Sequence, residues 1–224
     1  MRVVFMGTPD FAVATLEAVI AEGHEVVAVV TQPDRPKGRG KKLAFSPVKE
    51  AALRHGLHVM QPGRIREPGV LVELSALQPD VIVVVAYGQI LPEPVLSLPR
   101  FGCLNVHASL LPAYRGAAPI HWAILNGEKE SGIAIMQMDA GMDTGPVLAS
   151  ERVTITETDT VGALHDKLMH VGARLLTDVL AELEAGSVPD PQAQDENLAT
   201  YAPRLDRAIE RLDWTVTVSQ LYNR

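Results

Sequence analysis

RVVFMGTPDFAVATLEAVIAEGHEVVAVVTQ, residues 2–32, places two short apolar runs on either side of a segment with helical spacing. The first run, 2–6, is typical of a buried strand, and Thr8 is expected to cap the helix that follows it. The apolar face of that helix continues to Gly23, and residues 24–32 form a second predicted strand. A strand, a helix and a strand in this order predict a βαβ unit, which implies a parallel sheet with right-handed crossovers.

The remaining chain continues the alternation of strands and helices. Further strands are predicted at 57–60, 81–87, 101–107, 132–139 and 146–155. Helices are predicted at 46–56, 69–77, 118–126 and, with a long amphipathic pattern, 159–185. We therefore predict an α/β fold with a doubly wound, mostly parallel open sheet. Ligands of such sheets bind outside the carboxyl ends of the strands, so the loops after residues 6, 31, 87 and 107 should frame the site.

The composition is typical of a protein from a reducing compartment. Cys103 is the single cysteine among 224 residues, so an intramolecular disulfide is impossible. The longest apolar run, VIVVVAY at 81–87, is far shorter than the roughly 18–20 residues needed to cross a bilayer. We expect a cytoplasmic location and a monomeric protein.

A cationic segment interrupts an otherwise acidic chain. The net charge is −7, yet residues 35–49 contain six basic and no acidic residues. Two glycines and two prolines in RPKGRGKKLAFSPVK predict a mobile loop, and its position directly after the second strand places it beside the predicted site. Cationic side chains there can bind nucleic-acid phosphates, although most basic runs are only solvated surface. The candidate phosphate-binding residues are Arg35, Lys37, Arg39, Lys41 and Lys42.

Polar residues end the predicted strand at 101–107. Asn105 and His107 alternate along NVHAS, so both side chains should point to the same face at the strand's carboxyl end. Taken alone, such a pair more often has a structural role. The irregular run SLLPAYRGAAPI follows, and the glycine-flanked acidic loop MDAGMDTGP comes about thirty residues later. A strand end, an irregular loop and an acidic loop together predict a pocket.

These motifs carry a specific resemblance. NVHASLLP together with DAGMDTG resembles the signature of the folate-dependent formyltransferases, and GTPDFA, TQPDRPKGRGKKL and VVVAYGQILP narrow it to the methionyl-tRNA formyltransferase family. The resemblance covers essentially the whole chain and implies a Rossmann-like fold. It also implies that Asn105, His107 and Asp143 surround the formyl group and are catalytic.

The resemblance further implies the substrates and the surfaces that bind them. The donor would be 10-formyltetrahydrofolate, the acceptor methionyl initiator tRNA, and the basic loop would contact the acceptor stem, with Arg39 as the first candidate. Direct attack by the amine on the formyl carbon would form a tetrahedral oxyanion, which donors such as Asn105 and His107 can stabilise. The implied folate-binding residues lie in three stretches: Tyr87, Gly88, Gln89, Ile90, Leu91 and Pro92; Ser109, Leu110, Leu111 and Pro112; Asp139 and Gly141.

Other functions remain open at this stage. A nicotinamide-dependent oxidoreductase shares the βαβ start, but GTPD lacks the three glycines of a dinucleotide fingerprint. A formyltransferase acting on a small amine would share the catalytic residues without needing the basic loop. A non-catalytic tRNA-binding module would need the loop without those residues. No metal is expected, because His55 and His58 have no cysteine or acidic cluster to complete a site.

The carboxyl-terminal composition predicts a domain boundary. Residues 1–186 are expected to form the formyltransferase catalytic domain, and the Pro- and Asp-rich stretch within 187–205 to form a linker. Residues 206–224 restart an apolar pattern around Trp214. The resemblance implies that they begin a β-barrel domain that binds tRNA and is truncated here, and we expect the Trp214 segment to pack back on the main domain.

Overall fold

A computed structural model describes residues 1–37, 42–187 and 190–224, and its centre is a seven-stranded sheet. The seven strands, numbered with all strands in chain order, are β1 (Arg2–Gly7), β2 (Glu25–Val30), β5 (Val59–Met60), β6 (Val81–Val85), β7 (Cys103–His107), β9 (Glu130–Gln137) and β10 (Val147–Thr154). Two small two-stranded ladders lie outside it: β3 (Arg35–Lys37) with β4 (Lys42–Ala44), and β8 (Arg115–Gly116) with β11 (Tyr201–Ala202).

The strand order confirms the predicted doubly wound sheet. The order is β10-β9-β7-β6-β1-β2-β5, and the five strands from β7 to β5 are parallel. β9 runs antiparallel to both of its neighbours. The chain leaves β1 towards β2 and β5, and then returns to place β6 on the other side of β1. The strand order therefore reverses between β1 and β6, which is the point where open α/β sheets bind ligands.

Helices cover both faces of the sheet. The helices of the described residues are α1 (Val13–Ala21), α2 (Pro47–Arg54), α3 (Pro68–Ala76), α4 (Glu93–Leu96), α5 (Pro119–Leu125), α6 (Val161–Glu184) and α7 (Val218–Tyr222), of which α7 has no buried residue. Helices α1, α2 and α6 contribute to one core cluster, and α3 and α4 contribute to the other.

The alternation of side chains explains why the apolar strands lie at the centre. In β1, Val3 and Phe5 pack into the cluster with α6, whereas Val4 and Met6 pack into the cluster with α3. All five residues of β6 are buried in the same alternating way. A strand that is buried on both faces needs a continuous apolar run, as VIVVV provides.

Two local predictions differ from the structure. Thr8 does not cap the first helix: a 3-10 turn at Asp10–Ala12 precedes α1, and the Thr8 hydroxyl donates to the Tyr87 carbonyl. That contact links the loops after β1 and β6, which the local sequence does not show. The basic segment is also more regular than a loop, because β3 and β4 pair antiparallel within it.

The carboxyl-terminal segment makes few apolar contacts. The expectation that the Trp214 segment packs back on the main domain is wrong for Trp214 itself, which is 78% exposed. Tyr222 is 72% exposed, and its hydroxyl donates to the Glu157 carbonyl at 3.3 Å. Among the helices of the described ranges, none combines the length and the apolar composition needed to span a membrane.

Candidate active site

A cavity of about 520 Å³ opens at the carboxyl ends of β1, β6 and β7. Its wall includes Phe11 after β1, the loop after β6, and Asn105 and His107 at the end of β7. Three of the four predicted loops therefore meet at the cavity. The loop after β2 contributes indirectly, because Gln32 Nε2 donates to the Tyr87 carbonyl at 3.2 Å.

His107 is buried at the end of β7 and has one firm hydrogen-bond partner. Its Nε2 lies 3.1 Å from the carbonyl oxygen of Tyr114. Because a carbonyl only accepts, Nε2 must carry the hydrogen. Nδ1 faces the Asp143 carboxylate, with 3.8 Å between Nδ1 and Oδ2. Nδ1 is therefore the ring atom that can gain or lose a proton beside Asp143.

Asp143 joins the two strand residues from the acidic loop. Its Oδ1 accepts from Asn105 Nδ2 at 3.4 Å, and its Oδ2 accepts from the Gly116 amide at 2.8 Å. The three predicted catalytic residues therefore lie together, although Asp143 is far along the chain from His107. The backbone of Asp143 has φ of 54°, a left-handed conformation that is uncommon outside glycine.

The acidic loop leaves little room around its last glycine. A Cβ at Gly145 would lie 1.8 Å from the carbonyl oxygen of Gln137, so only glycine fits here without a backbone shift. Earlier in the loop, Asp139 Oδ1 accepts from the Gly141 amide and from Thr144 Oγ1. Asp139 and Gly141 thus shape the loop, and both lie outside the wall of the main cavity.

The loop after β6 forms another side of the cavity. Tyr87, Gly88 and Gln89 belong to its wall. Burial raises the pKa of the Tyr87 hydroxyl to about 12, so this side chain stays neutral. Ala86 and Gly88 both have positive φ, and the chain turns sharply directly at the strand end.

Several predicted folate residues do not line this cavity. Ile90 is 86% exposed and lies outside the cavity wall. Leu91 is buried in the core with α4, and Pro92 precedes that helix. Ser109 is buried and donates to the Ala113 carbonyl at 2.6 Å. The adjoining Leu110, Leu111 and Pro112 are half-buried.

The predicted tRNA-binding residues fall only partly within the described ranges. Arg39 and Lys41 lie outside them. The backbones of Arg35, Lys37 and Lys42 belong to the β3 and β4 ladder, and Arg35 is exposed.

Sequence reasoning missed much of the remaining wall. Ala117 to Ile120 end the irregular run, and His121 follows it. His165 and Arg204 come from α6 and from the chain after β11. His165 also packs edge-on against the Phe11 ring, with 5.3 Å between the ring centroids. The amphipathic spacing of 159–185 predicted a helix, and nothing local indicates that one of its histidines reaches the cavity. Within residues 1–37, 42–187 and 190–224, no group of three or more His, Cys, Asp or Glu side chains is placed to hold a metal ion.

Comparisons with known proteins agree with this fold. A family model described as formyl transferase matches residues 1–180. The methionyl-tRNA formyltransferase of Bacillus subtilis strain 168 is 54% identical over 223 residues, which cover 100% of this chain and 70% of that protein. The enzyme of the same name from Xanthomonas campestris is 57% identical over 224 residues, covering 100% of this chain and 73% of that protein.

Solved structures show the same architecture. The phosphoribosylglycinamide formyltransferase of Bacillus halodurans superposes with a TM-score of 0.68 at 29% identity, covering 82% of this chain and 95% of that one. An N-formyltransferase from Helicobacter canadensis, solved with folinic acid and dTDP-3-aminofucose, gives a TM-score of 0.78 at 21% identity. The match covers 100% of this chain and 78% of the Helicobacter chain. At 21% identity, the likeness shows the fold alone.

The fold and its cavity define a protein with an open α/β sheet whose polar site residues lie close to where the strand order reverses. This chain belongs to the formyl transferase family. The assignment favours formyl transfer over the hydride transfer that a βαβ start also allows.

Proposed function

We propose that this chain transfers a formyl group from 10-formyltetrahydrofolate to the α-amino group of methionyl initiator tRNA. The observation that carries the proposal is the convergence of Asn105, His107 and Asp143 in one cavity at the switch point of the sheet. The two relatives named methionyl-tRNA formyltransferase, each more than half identical along the whole chain, support this acceptor over a small amine.

In this proposal the attack needs no covalent intermediate with the enzyme. A free α-amino group has a pKa of about 7.7 to 8.0, so part of it is a neutral nucleophile near neutral pH. Its nitrogen bonds to the formyl carbon, and the carbonyl oxygen becomes an oxyanion. The side-chain donors available to stabilise that charge are Asn105 Nδ2 and, on the protonated ring, His107 Nδ1, because His107 Nε2 is bound to the Tyr114 carbonyl. Both are buried at the rigid end of β7, so they need little reorganisation.

Collapse of the tetrahedral centre requires a proton transfer. The carbon–nitrogen bond to the folate breaks, the attacking nitrogen loses a proton, and the departing folate nitrogen gains one. Because Nε2 of His107 is bound to the Tyr114 carbonyl, Nδ1 is the ring atom that we assign to this transfer. Asp143 orients that atom and balances the charge of the protonated ring.

The loop after β6 is proposed to hold the pterin ring of the folate. Backbone groups of Gly88 can hydrogen-bond the polar edge of the ring, and the buried Tyr87 ring adds an apolar wall. The wider set of folate residues, from Gln89 to Pro92, Ser109 to Pro112, and Asp139 with Gly141, stays a prediction.

The remaining assignments concern the tRNA and the setting of the enzyme. We propose that the basic segment at 35–42 binds acceptor-stem phosphates, and that the protein acts as a monomer in the cytoplasm, where charged tRNA is used. Sedimentation with and without tRNA measures the oligomeric state.

The division into a catalytic domain at 1–186, a linker at 187–205 and the start of a tRNA-binding domain at 206–224 is likewise a prediction.

The test is transfer of labelled formyl from the folate donor to a panel of acceptors. We expect methionyl initiator tRNA to be formylated, and uncharged tRNA, free methionine and amino sugars to react far more slowly. His107→Ala should abolish most turnover. His55→Ala is the control, because His55 is a surface histidine bound to Glu17 and should leave the rate unchanged.

Two results would contradict the proposal. Faster formylation of a small amine than of methionyl-tRNA would assign the site to another acceptor. Tight tRNA binding without transfer would instead indicate a binding module.

A further inference from the structure

The segment at 190–204, expected to be a linker, runs along the edge of the candidate active site. Gln192 exchanges backbone hydrogen bonds with Val147 on the edge strand β10. Further on, β11 pairs with β8, and the Ala202 carbonyl accepts from the amides of Ala117 and Ala118. The segment therefore bridges the acidic loop and the irregular loop that follows β7.

Gln194 sits at the middle of this bridge with its amide group fully used. Its Nε2 donates to the carbonyl of Asp143 at 2.9 Å and to that of Gly145 at 2.6 Å. Its Oε1 accepts from Arg115 Nη2 at 2.8 Å and from Arg115 Nε at 3.1 Å. An amide has two donor hydrogens and two acceptor lone pairs, so all four are engaged.

Arg115 is fully buried, and its charge is balanced by the same segment. Glu196 Oε1 lies 2.7 Å from Arg115 Nη2, and Glu196 Oε2 lies 2.9 Å from Nη1. This contact lowers the pKa of Glu196, so the carboxylate stays charged at neutral pH. A buried guanidinium held by a carboxylate and an amide oxygen has little freedom to move, and it therefore fixes the orientation of Gln194.

The two residues that face His107 are both held by this segment. Asp143 and Tyr114 have φ of 54° and 59°, and such left-handed conformations persist only where the surroundings hold them. Gln194 holds the Asp143 backbone, while the Tyr114 amide donates to Thr200 Oγ1 at 2.8 Å. Both partners of His107 are thus fixed by residues that follow the stretch matched by the family model.

We propose that Gln194 is a positioning residue for formyl transfer: it holds the Asp143 loop so that the carboxylate faces His107. The proposal rests on the function proposed above. Loss of the two donated hydrogen bonds lets the loop relax, and displacement of a reacting group by about 1 Å can cost on the order of a hundredfold in rate. Substrate affinity should change little, since Gln194 does not line the cavity.

The test compares Gln194→Glu and Gln194→Ala with the wild type. Gln194→Glu keeps oxygens that accept from Arg115 but removes both donors to the Asp143 loop. Gln194→Ala removes the side chain and leaves Arg115 paired with Glu196, so it carries the test if the glutamate variant folds poorly. Gln192→Ala is the matched control, because, within the described residues, the hydrogen bonds of the Gln192 side chain go to exposed Asp190.

We expect both Gln194 variants to lose about tenfold to a hundredfold in kcat. KM for folate and for methionyl-tRNA should stay within about twofold of the wild type. Hydrogen exchange of the 139–145 loop should become faster in both variants, and Gln192→Ala should match the wild type in every measurement. A kcat within about twofold of the wild type in the folded variants would overturn the proposal. The proposal would also be overturned by a uniform loss of folate affinity together with a lower melting temperature, if exchange in the loop were no faster. That result would indicate a merely structural role.

The outcomes separate this inference from the proposed function. A wild-type protein that formylates no methionyl-tRNA contradicts the function. The hydrogen-exchange comparison needs no activity, and unchanged exchange of the 139–145 loop in both Gln194 variants contradicts the positioning role by itself.

Discussion

Replacing Asp143 with asparagine removes the negative charge from the site while preserving the shape of the side chain. The carboxylate uses both of its oxygens, one accepting from Asn105 and the other from the Gly116 amide. It also faces His107 Nδ1 at 3.8 Å. An asparagine keeps a single acceptor oxygen, so one of the two accepted hydrogen bonds becomes a contact between donors.

The structure separates the expected cost in stability from the expected cost in rate. A buried donor left without an acceptor costs about 1–3 kcal/mol, less than the roughly 5–15 kcal/mol that stabilises an ordinary domain. The protein should therefore stay folded. The rate should fall on the order of a hundredfold to ten-thousandfold, because a protonated His107 loses the charge that orients and balances it. That range corresponds to about 2.7 to 5.4 kcal/mol of transition-state stabilisation.

The assay is single-turnover formylation of methionyl-tRNA with saturating folate, so that product release does not mask the chemical step. Folate affinity, measured by fluorescence, should change little. Glu17→Gln is the matched control, since Glu17 is a partly exposed carboxylate bound to His55 outside the cavity, and its replacement also removes a charge next to a histidine. A single-turnover rate for Asp143→Asn within about threefold of the wild type would refute the role assigned to the carboxylate.

Further predictions concern the oxyanion, the tRNA, the free thiol and the response to acid. Asn105→Ala should lower kcat on the order of a hundredfold or more, because one donor to the oxyanion is lost, and steady-state kinetics measure it. Arg39→Ala should weaken tRNA binding and lower the slope of log affinity against log salt by about one unit, with folate binding unchanged in a parallel titration. Cys103 should react with iodoacetamide at pH 8 only after unfolding, since burial raises its pKa to about 12, and mass spectrometry of the native protein would detect any earlier labelling. The hydrogen bond from Lys167 lowers the pKa of Asp159, so this pair stabilises the fold above the unfolded pKa of about 3.9, and that contribution is lost as the pH falls through the lower folded value. The difference in melting temperature between the wild type and Asp159→Asn should therefore shrink on acidification, and a difference that is constant from pH 7 to pH 3 would contradict the pairing.

The local pattern of apolar and polar residues was enough to predict the architecture of this protein. Strands that are buried on both faces need uninterrupted apolar runs, and 3–6 and 81–85 supply them, so the parallel sheet and its ligand-binding edge followed from periodicity. Asn105 and His107 followed from the alternation of side chains along one strand. The local pattern failed where a side chain bonds to a residue far along the chain. Threonine is favoured at helix N-caps, but Thr8 donates to the Tyr87 carbonyl instead.

By itself, the sequence determined the sheet, the edge at which ligands bind and, through the resemblance of its motifs, the residues expected to surround the formyl group. Only the tertiary structure decided how those residues are held. Arg115 and Gln194 are separated by 79 positions along the chain, and no local periodicity relates them. Hydrophobic spacing reports whether a residue is buried within its own helix or strand, whereas a buried polar network depends on which distant segments meet. Composition alone therefore makes the stretch at 190–204 look like a linker. In the folded protein, the same stretch supplies the contacts that hold the Asp143 loop.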